Sequence, residues 1–197
     1  MGHSQTYRNV MPSFQITETL LLRTLTANDA PALFRSVEDN REYLREWLPW
    51  LDVSLDEEDS AEFIARISDQ QRNNMGFQCG MFWNGNFVGM CGYHPIDRSN
   101  NSVVIGYWLA ESMTGRGIVT RCVEFLTTYA FDNLNINKVC IPVAEGNAAS
   151  RAVPKRLNFV NEGIERAAEF LYCRYVNHVR YSVMQDEWRA RNPTADA

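Results

Sequence analysis

What this chain lacks narrows its function first. No apolar run reaches the roughly 18 residues that a membrane helix needs, and the opening MGHSQTYRNVMPSF has no apolar core of a secretion signal. The five cysteines (79, 91, 122, 140 and 173) stand singly, with no C-x-x-C pair. They read as buried thiols of a cytoplasmic protein rather than as disulfides or metal ligands. His3, His94 and His178 have no ligand spacing, so no metal is expected. Acids outnumber bases, 24 to 19, which disfavours direct nucleic-acid binding through a broad basic face. Internal repeats, low-complexity tracts and linkers are missing too. A length of 197 residues, 45% hydrophobic, then suits one domain with one core. Residues 15–188 are its expected extent. Residues 1–14 read as disordered or tag-derived, with Gly2-His3-Ser4 as an expression remnant, and 189–197 as a frayed tail.

The stretch that organises the rest is 112–120, SMTGRGIVT. It follows a β-branched and aromatic run, VVIGYWLA (103–110). It precedes IVTRCVEFLTTYAF (118–131), apolar at Ile118, Cys122, Phe125, Leu126, Tyr129 and Ala130, which is helical spacing. Strand, glycine turn and helix in that order make an anion site. Gly115 and Gly117 let a ligand approach the backbone, and the N–H groups of the helix's first turn point toward it with the helix dipole. A Walker loop is excluded because Ile118 and Val119 stand where Lys and Ser/Thr are required, and a dinucleotide fingerprint needs a third glycine. On the glycines alone, a plain tight connection is the better reading.

Around this unit, the chain divides into strands at 18–24, 77–82, 87–93, 103–110, 138–143, 160–168 and 175–184. Asn84-Gly85 marks a hairpin. Helices are expected from about 27 to 37, over 40–51 with a break at Pro49, from Asp56 to about 73, and over 148–157 after an Asn147 cap. Pro142 should disrupt its strand and Pro154 should shorten or kink its helix. Asn158 can hold a left-handed turn. This arrangement implies a mixed α/β sheet in a single domain.

IGYW, then GRGI, then a helix ending YAF resembles the acetyl-CoA-binding motif of the GNAT N-acyltransferases. EGNAASRAVPKRLNF (145–159) resembles the N-x-x-S helix that follows it in that family. Residues 161–188 resemble the C-terminal hairpin of the RimL-like, ribosomal-protein serine acetyltransferase branch, to which the microcin C self-immunity acetyltransferases are also similar. The likeness spans about 20–188. It implies a mostly antiparallel sheet of about seven strands, flanked by helices, with a central parallel pair splayed to admit the pantetheine arm.

The resemblance also implies site residues. Acetyl-CoA would be held by the backbone of Trp108 and Leu109, by the turn and helix start at Gly115, Arg116, Gly117, Ile118, Val119 and Thr120, and by Asn147 and Ser150. Arg116 is the favoured phosphate contact among the basic residues. Glu169, expected at the turn between the last strands, aligns with the proposed general base, and Ser150 with the acid that protonates the departing thiolate. Against these stand a solvated hairpin acid and a first-turn serine bonding its own backbone. His94 would line the acceptor cleft, or simply end its strand. Trp47, Trp50 and Phe63 would pack two helices or form an aromatic wall able to stack on a base. Ser112 replaces a long polar residue of the family motif, and Arg121 a frequent Glu.

The acceptor implied is a small-molecule or peptide amine, either a protein N-terminus or an aminoacyl-nucleotide antibiotic. Similar proteins are often homodimers. The competing reading is a non-catalytic acyl-CoA-binding regulatory module of the same fold. A structural protein with an incidental G-x-G is the third.

Overall fold

In the computed structural model, which describes residues 12–191, alternation along the strands sorts the core into two halves. Met81 and Cys91 face one way; their neighbours Phe82 and Met90 face the other, as a strand's two-residue period requires. The sheet has eight strands: β1 (Ser13–Thr17), β2 (Leu20–Arg23), β3 (Gln78–Trp83), β4 (Asn86–Tyr93), β5 (Ser102–Leu109), β6 (Lys138–Ala144), β7 (Val160–Leu171) and β8 (Arg174–Met184). Their order is β1-β2-β3-β4-β5-β6-β8-β7, antiparallel throughout except for β5 beside β6. Six helices accompany them: α1 (Ala30–Glu38), α2 (Arg41–Arg45), α3 (Glu57–Arg72), α4 (Ile118–Asn133), α5 (Ala148–Arg156) and α6 (Gln185–Arg191).

The eighth strand comes from the start of the chain. The expected strand at 18–24 is split from a preceding one by a turn, where Leu20 N–H donates to Thr17 Oγ1 at 3.1 Å. Strand β1 starts at Ser13, ahead of the boundary read at residue 15. Phe14 packs on Phe125 and Tyr129 of α4, with ring centroids at 4.8 and 5.2 Å. At the other end, α6 carries helix to Arg191, past the expected boundary at 188, and buries Trp188 against Phe131 and Phe159. The remainder of the proposed termini lies outside the described residues.

One face of the sheet is covered by α4, whose Ile118, Cys122, Val123, Leu126 and Ala130 are buried. The other is covered by α1–α3 through Leu33, Val37, Leu44, Ile64 and Ile67. Each such aliphatic side chain contributes about 1.5–3 kcal/mol by leaving water. A reciprocal cap starts α3: Asp59 N–H donates to Asp56 Oδ1 at 3.0 Å and Asp56 N–H to Asp59 Oδ2 at 3.3 Å. Four cysteines are buried, as read. Cys173 is exposed, because it sits in the turn between β7 and β8.

The feature that positions the site is a fork. Strands β5 and β6 pair only at Ser102–Lys138, Val103–Val139 and Val104–Cys140, then separate. Strand β6 nevertheless continues through Pro142 to Ala144, paired with β8. Proline has no N–H, so it can sit in this ladder only where its nitrogen faces away from β8, toward the side that β5 has left. The expected disruption therefore falls on the β5 side alone.

Candidate active site

The anion cradle is assembled as the turn predicts. Strand β5 ends at Leu109, and a short 3-10 turn over Glu111–Met113 leads to Gly115 and Gly117, at φ +75° and +73°. Left-handed backbone costs a residue with a Cβ about 1–2 kcal/mol. Above Gly115 the space is open, and a Cβ on Gly117 would meet only the Arg121 guanidinium, at 3.2 Å. Helix α4 starts directly after Gly117. Its first intrahelical donor is Arg121 N–H to Gly117 O at 3.1 Å, so the N–H groups of Ile118, Val119 and Thr120 stand outside the ladder.

A cavity of about 490 Å³ opens over this turn. Trp108, Leu109, Gly115, Gly117, Ile118, Val119, Thr120, Asn147 and Ser150 all border it, along with Arg121 and Arg156. Arg116 does not; it is exposed, and its carbonyl accepts from Arg121 Nη1 at 2.9 Å. Arg156 Nη1 donates to Thr120 Oγ1 at 3.0 Å, which sets a second cation at the helix start. The basic side chains that border the cavity are thus Arg121 and Arg156, not the favoured Arg116.

A second cavity, of about 940 Å³, lies on the far side of the fork. Trp47, Trp50, Phe63, His94 and Glu169 border it, so the residues singled out for the acceptor share one space. Its floor is the fork itself, Val104–Gly106 on one prong and Ile141–Ala144 on the other. Trp50 packs its ring on Trp108, with centroids at 6.4 Å, and Phe63 carries the Arg66 guanidinium at 5.4 Å. The His94 ring lies across Gly106, where a Cβ would sit 2.6 Å from Nε2. The residue is exposed to the cleft, and the partial desolvation of its ring among the cleft walls lowers its pKa.

The two cavities meet at Trp47, Leu48, Tyr107, Trp108, Asn147 and Ser150. Asn147 caps α5, its side-chain oxygen accepting Ser150 N–H at 3.0 Å, which holds the serine at the junction. Pro154 lies inside α5, which ends at Arg156, and Asn158 takes the left-handed turn beyond at φ +56°.

Glu169 is not at the hairpin turn. It lies within β7, opposite Val176, after a bulge that begins at Glu165. The hairpin tip is tied over the cleft instead: Tyr172 Oη donates to the Leu48 carbonyl at 2.7 Å, and Arg45 lies over the Tyr172 ring at 3.9 Å.

Two site residues escaped the sequence. Tyr107 reads as core, yet its hydroxyl is bonded to Ser150, and burial raises its pKa so that it stays protonated. The run VVIGYWLA showed where a strand lay but not where it parted from its neighbour. His178, read only for metal spacing, borders the acceptor cavity 3.3 Å from Glu169. Counting back from the hairpin turn misaligns the pair unless the bulge is known.

A backbone cradle for a phosphorylated carrier, opening through forked strands onto a separate acceptor cleft, defines an acyl-transfer enzyme of mixed α/β fold. The chain belongs to the acetyltransferase (GNAT) domain family, whose model matches residues 19–160, and acetyl-CoA is its acyl donor. Bacillus subtilis (strain 168) YdaF is 35% identical over 179 residues, 88% of this chain and 96% of that one. The ribosomal-protein-serine acetyltransferase of Escherichia coli (strain K12) is 27% identical over 169 residues, 83% of this chain and 91% of its own.

Among solved structures, the RimL ribosomal L7/L12 alpha-N-protein acetyltransferase in complex with coenzyme A matches with TM-score 0.84 and 26% identity. The match covers 88% of this chain and 98% of that one. The microcin C7 self immunity acetyltransferase MccE, in complex with acetyl-CoA and AMP, shares the fold at TM-score 0.83 and 23% identity, over 87% and 95% of the two chains. The chain is therefore an N-acetyltransferase, and the reading as a non-catalytic module is set aside. Among the described residues, no helix is long and apolar enough to cross a membrane, and no group of three or more His, Cys, Asp or Glu could hold a metal ion.

Proposed function

We propose that this enzyme acetylates an α-amine in the cytoplasm, taking the N-terminus of a ribosomal protein or the amine of an aminoacyl-nucleotide into the cleft beneath Trp47 and Trp50. One observation carries the reading: Ser150, Asn147 and Tyr107 border both cavities, so an acyl group from one side and an amine from the other meet beside them. The residues present fit coenzyme A. The open left-handed turn and the N–H groups of 117–120 hold its diphosphate, with Arg121 and Arg156 beside them. The backbone of Trp108 and Leu109 aligns the pantetheine, and Asn147 contacts it. The coenzyme supplies a thioester; the chain supplies position and proton transfer.

An α-amine is mostly protonated below its pKa of about 7.7–8.0 and must lose a proton to attack. Glu169, half-buried on the acceptor side, is the group that takes it. Ser150, at the junction, gives a proton to the departing sulfur.

The aromatic residues favour a second acceptor class. Trp47, Trp50 and Phe63 border the cleft together, and a base stacked on such rings gains about 1–3 kcal/mol. Mass spectrometry of reactions with an N-terminal serine peptide and with an aminoacyl-adenylate analogue decides between them. If Trp50→Ala impairs only the nucleotide substrate, the aromatic wall reads a base; equal loss for both removes that reading. No acetylation of either, or of a wider amine panel, overturns the proposal.

A further inference from the structure

Glu169 and His178 reach the acceptor cavity from neighbouring strands. The register sets Glu169 opposite Val176 and His178 opposite Glu165, so β7 spends four steps where β8 spends two. The backbone at Ala167 takes φ +50° inside that bulge, and its N–H donates to Asn177 Oδ1 at 3.0 Å. Bulges re-aim side chains. Here the result is Glu169 Oε2 at 3.3 Å from His178 Nε2, the two side chains 31% and 17% exposed.

Free carboxylic acids titrate near 4.3, imidazoles near 6.5 and α-ammonium groups at about 7.7–8.0. A carboxylate alone is a poorly matched acceptor for an ammonium proton at neutral pH, whereas an imidazole is close to matched. We propose that His178 is the second member of the base, receiving through Glu169 the proton that leaves the acceptor amine. The inference rests on the α-amine reading above. An ammonium N–H bond breaks and the proton bonds to Glu169; that O–H bond then breaks as the proton bonds to Nε2 of neutral His178, and the imidazolium releases it to water. The freed nitrogen lone pair forms the C–N bond to the acetyl carbon, and the C–S bond breaks with its electron pair on sulfur. The second amine proton passes to Ser150 Oγ, replacing the one that Ser150 gives to that sulfur.

Apart from His94, whose ring lies across Gly106 on the other prong of the fork, no second base borders this cavity among the described residues. On β7, the Glu165 carboxylate is turned to Arg180 of β8, at 3.6 Å. Strand β6 presents Ala144, and beyond it Glu145 holds Asn177 Nδ2 at 3.1 Å while its carbonyl takes Arg151. The remaining titratable groups of the cavity are Arg66 and His94 on its wall and Tyr107 at the junction.

The test is the pH profile of kcat/KM for His178→Gln against the full-length wild type, with an N-terminal serine peptide and acetyl-CoA. Without the imidazole the enzyme must wait for amine already deprotonated in solution, so the acid limb moves up toward the amine's own titration. The expected loss is about tenfold or more at pH 6.5 and under about threefold at pH 9. His178→Ala should recover part of the pH 6.5 rate with added imidazole. A loss equal at all pH values, without rescue, marks a structural role and overturns the inference, as does a wild-type profile in the variant. Failure of the wild type to acetylate any amine overturns the α-amine reading itself, a separate outcome.

Discussion

Ser150 and Tyr107 hold each other by two hydrogen bonds across the mouth of the fork: Ser150 Oγ donates to Tyr107 Oη at 3.2 Å, and Tyr107 Oη donates to the Ser150 carbonyl at 3.0 Å. The serine hydroxyl is thereby aimed by a phenol that burial keeps protonated. Removing Ser150 Oγ as Ser150→Ala should lower kcat about 10²-fold or more, the worth of a positioned acid, with coenzyme A affinity within a few-fold of wild type. Tyr107→Phe should lower kcat by less, since the serine survives without its orienting partner, and cost about 0.5–1.5 kcal/mol of stability. Steady-state kinetics, calorimetric titration with the coenzyme and urea denaturation check the three quantities. Equal kcat in wild type and Ser150→Ala would remove the acid role.

The two glycines of the turn predict a contrast. Both adopt left-handed backbone, so Gly115→Ala and Gly117→Ala should each cost about 1–2 kcal/mol of stability. Their effects on the coenzyme differ. A methyl at Gly115 projects into the open space over the turn, where the ligand would come; one at Gly117 meets only the mobile end of Arg121. Calorimetry should find the larger loss of coenzyme A affinity in Gly115→Ala.

Acid stability should depend on Asp29. Arg23 Nη1 and Nη2 donate to its two oxygens at 2.9 and 2.8 Å, and Thr26 N–H adds a bond at 2.7 Å. These hold the carboxyl at about 2, below its ordinary 3.8, with the Arg23 bond the largest cause and the Thr26 backbone bond a further one. The folded pKa is depressed, so the folded state binds fewer protons than the unfolded. The stabilisation is complete above about pH 4 and is lost as pH falls toward 2. Asp29→Asn should cost about 1–2 kcal/mol at pH 7 and flatten the decline between pH 4 and 2 in urea titrations. An unchanged acid slope would show that the pair does not contribute.

Much of this architecture was legible because its signals are local. The Asn84-Gly85 turn has φ +49° and +80°, as the dipeptide predicts, and Asn147 and Asp56 cap the helices they precede. The glycine turn followed by an apolar helical stripe is a property of nine consecutive residues and their neighbours, and the ligand-facing N–H groups follow from it. Arg116 was favoured by its place in the turn, which does not say where its side chain points, and the ranking of Arg156 could not be read locally because it reaches the cavity from another helix.

The amino-acid order by itself determined the cradle, the caps and most of the elements between them, since backbone conformation answers to residues a few positions apart. Tertiary structure alone decided the fork between β5 and β6, the bulge that sets Glu169 beside His178, and the meeting of Tyr107 with Ser150, 43 residues apart in the chain. Each of these depends on strand register, and register is settled only when distant strands bury their faces against one another.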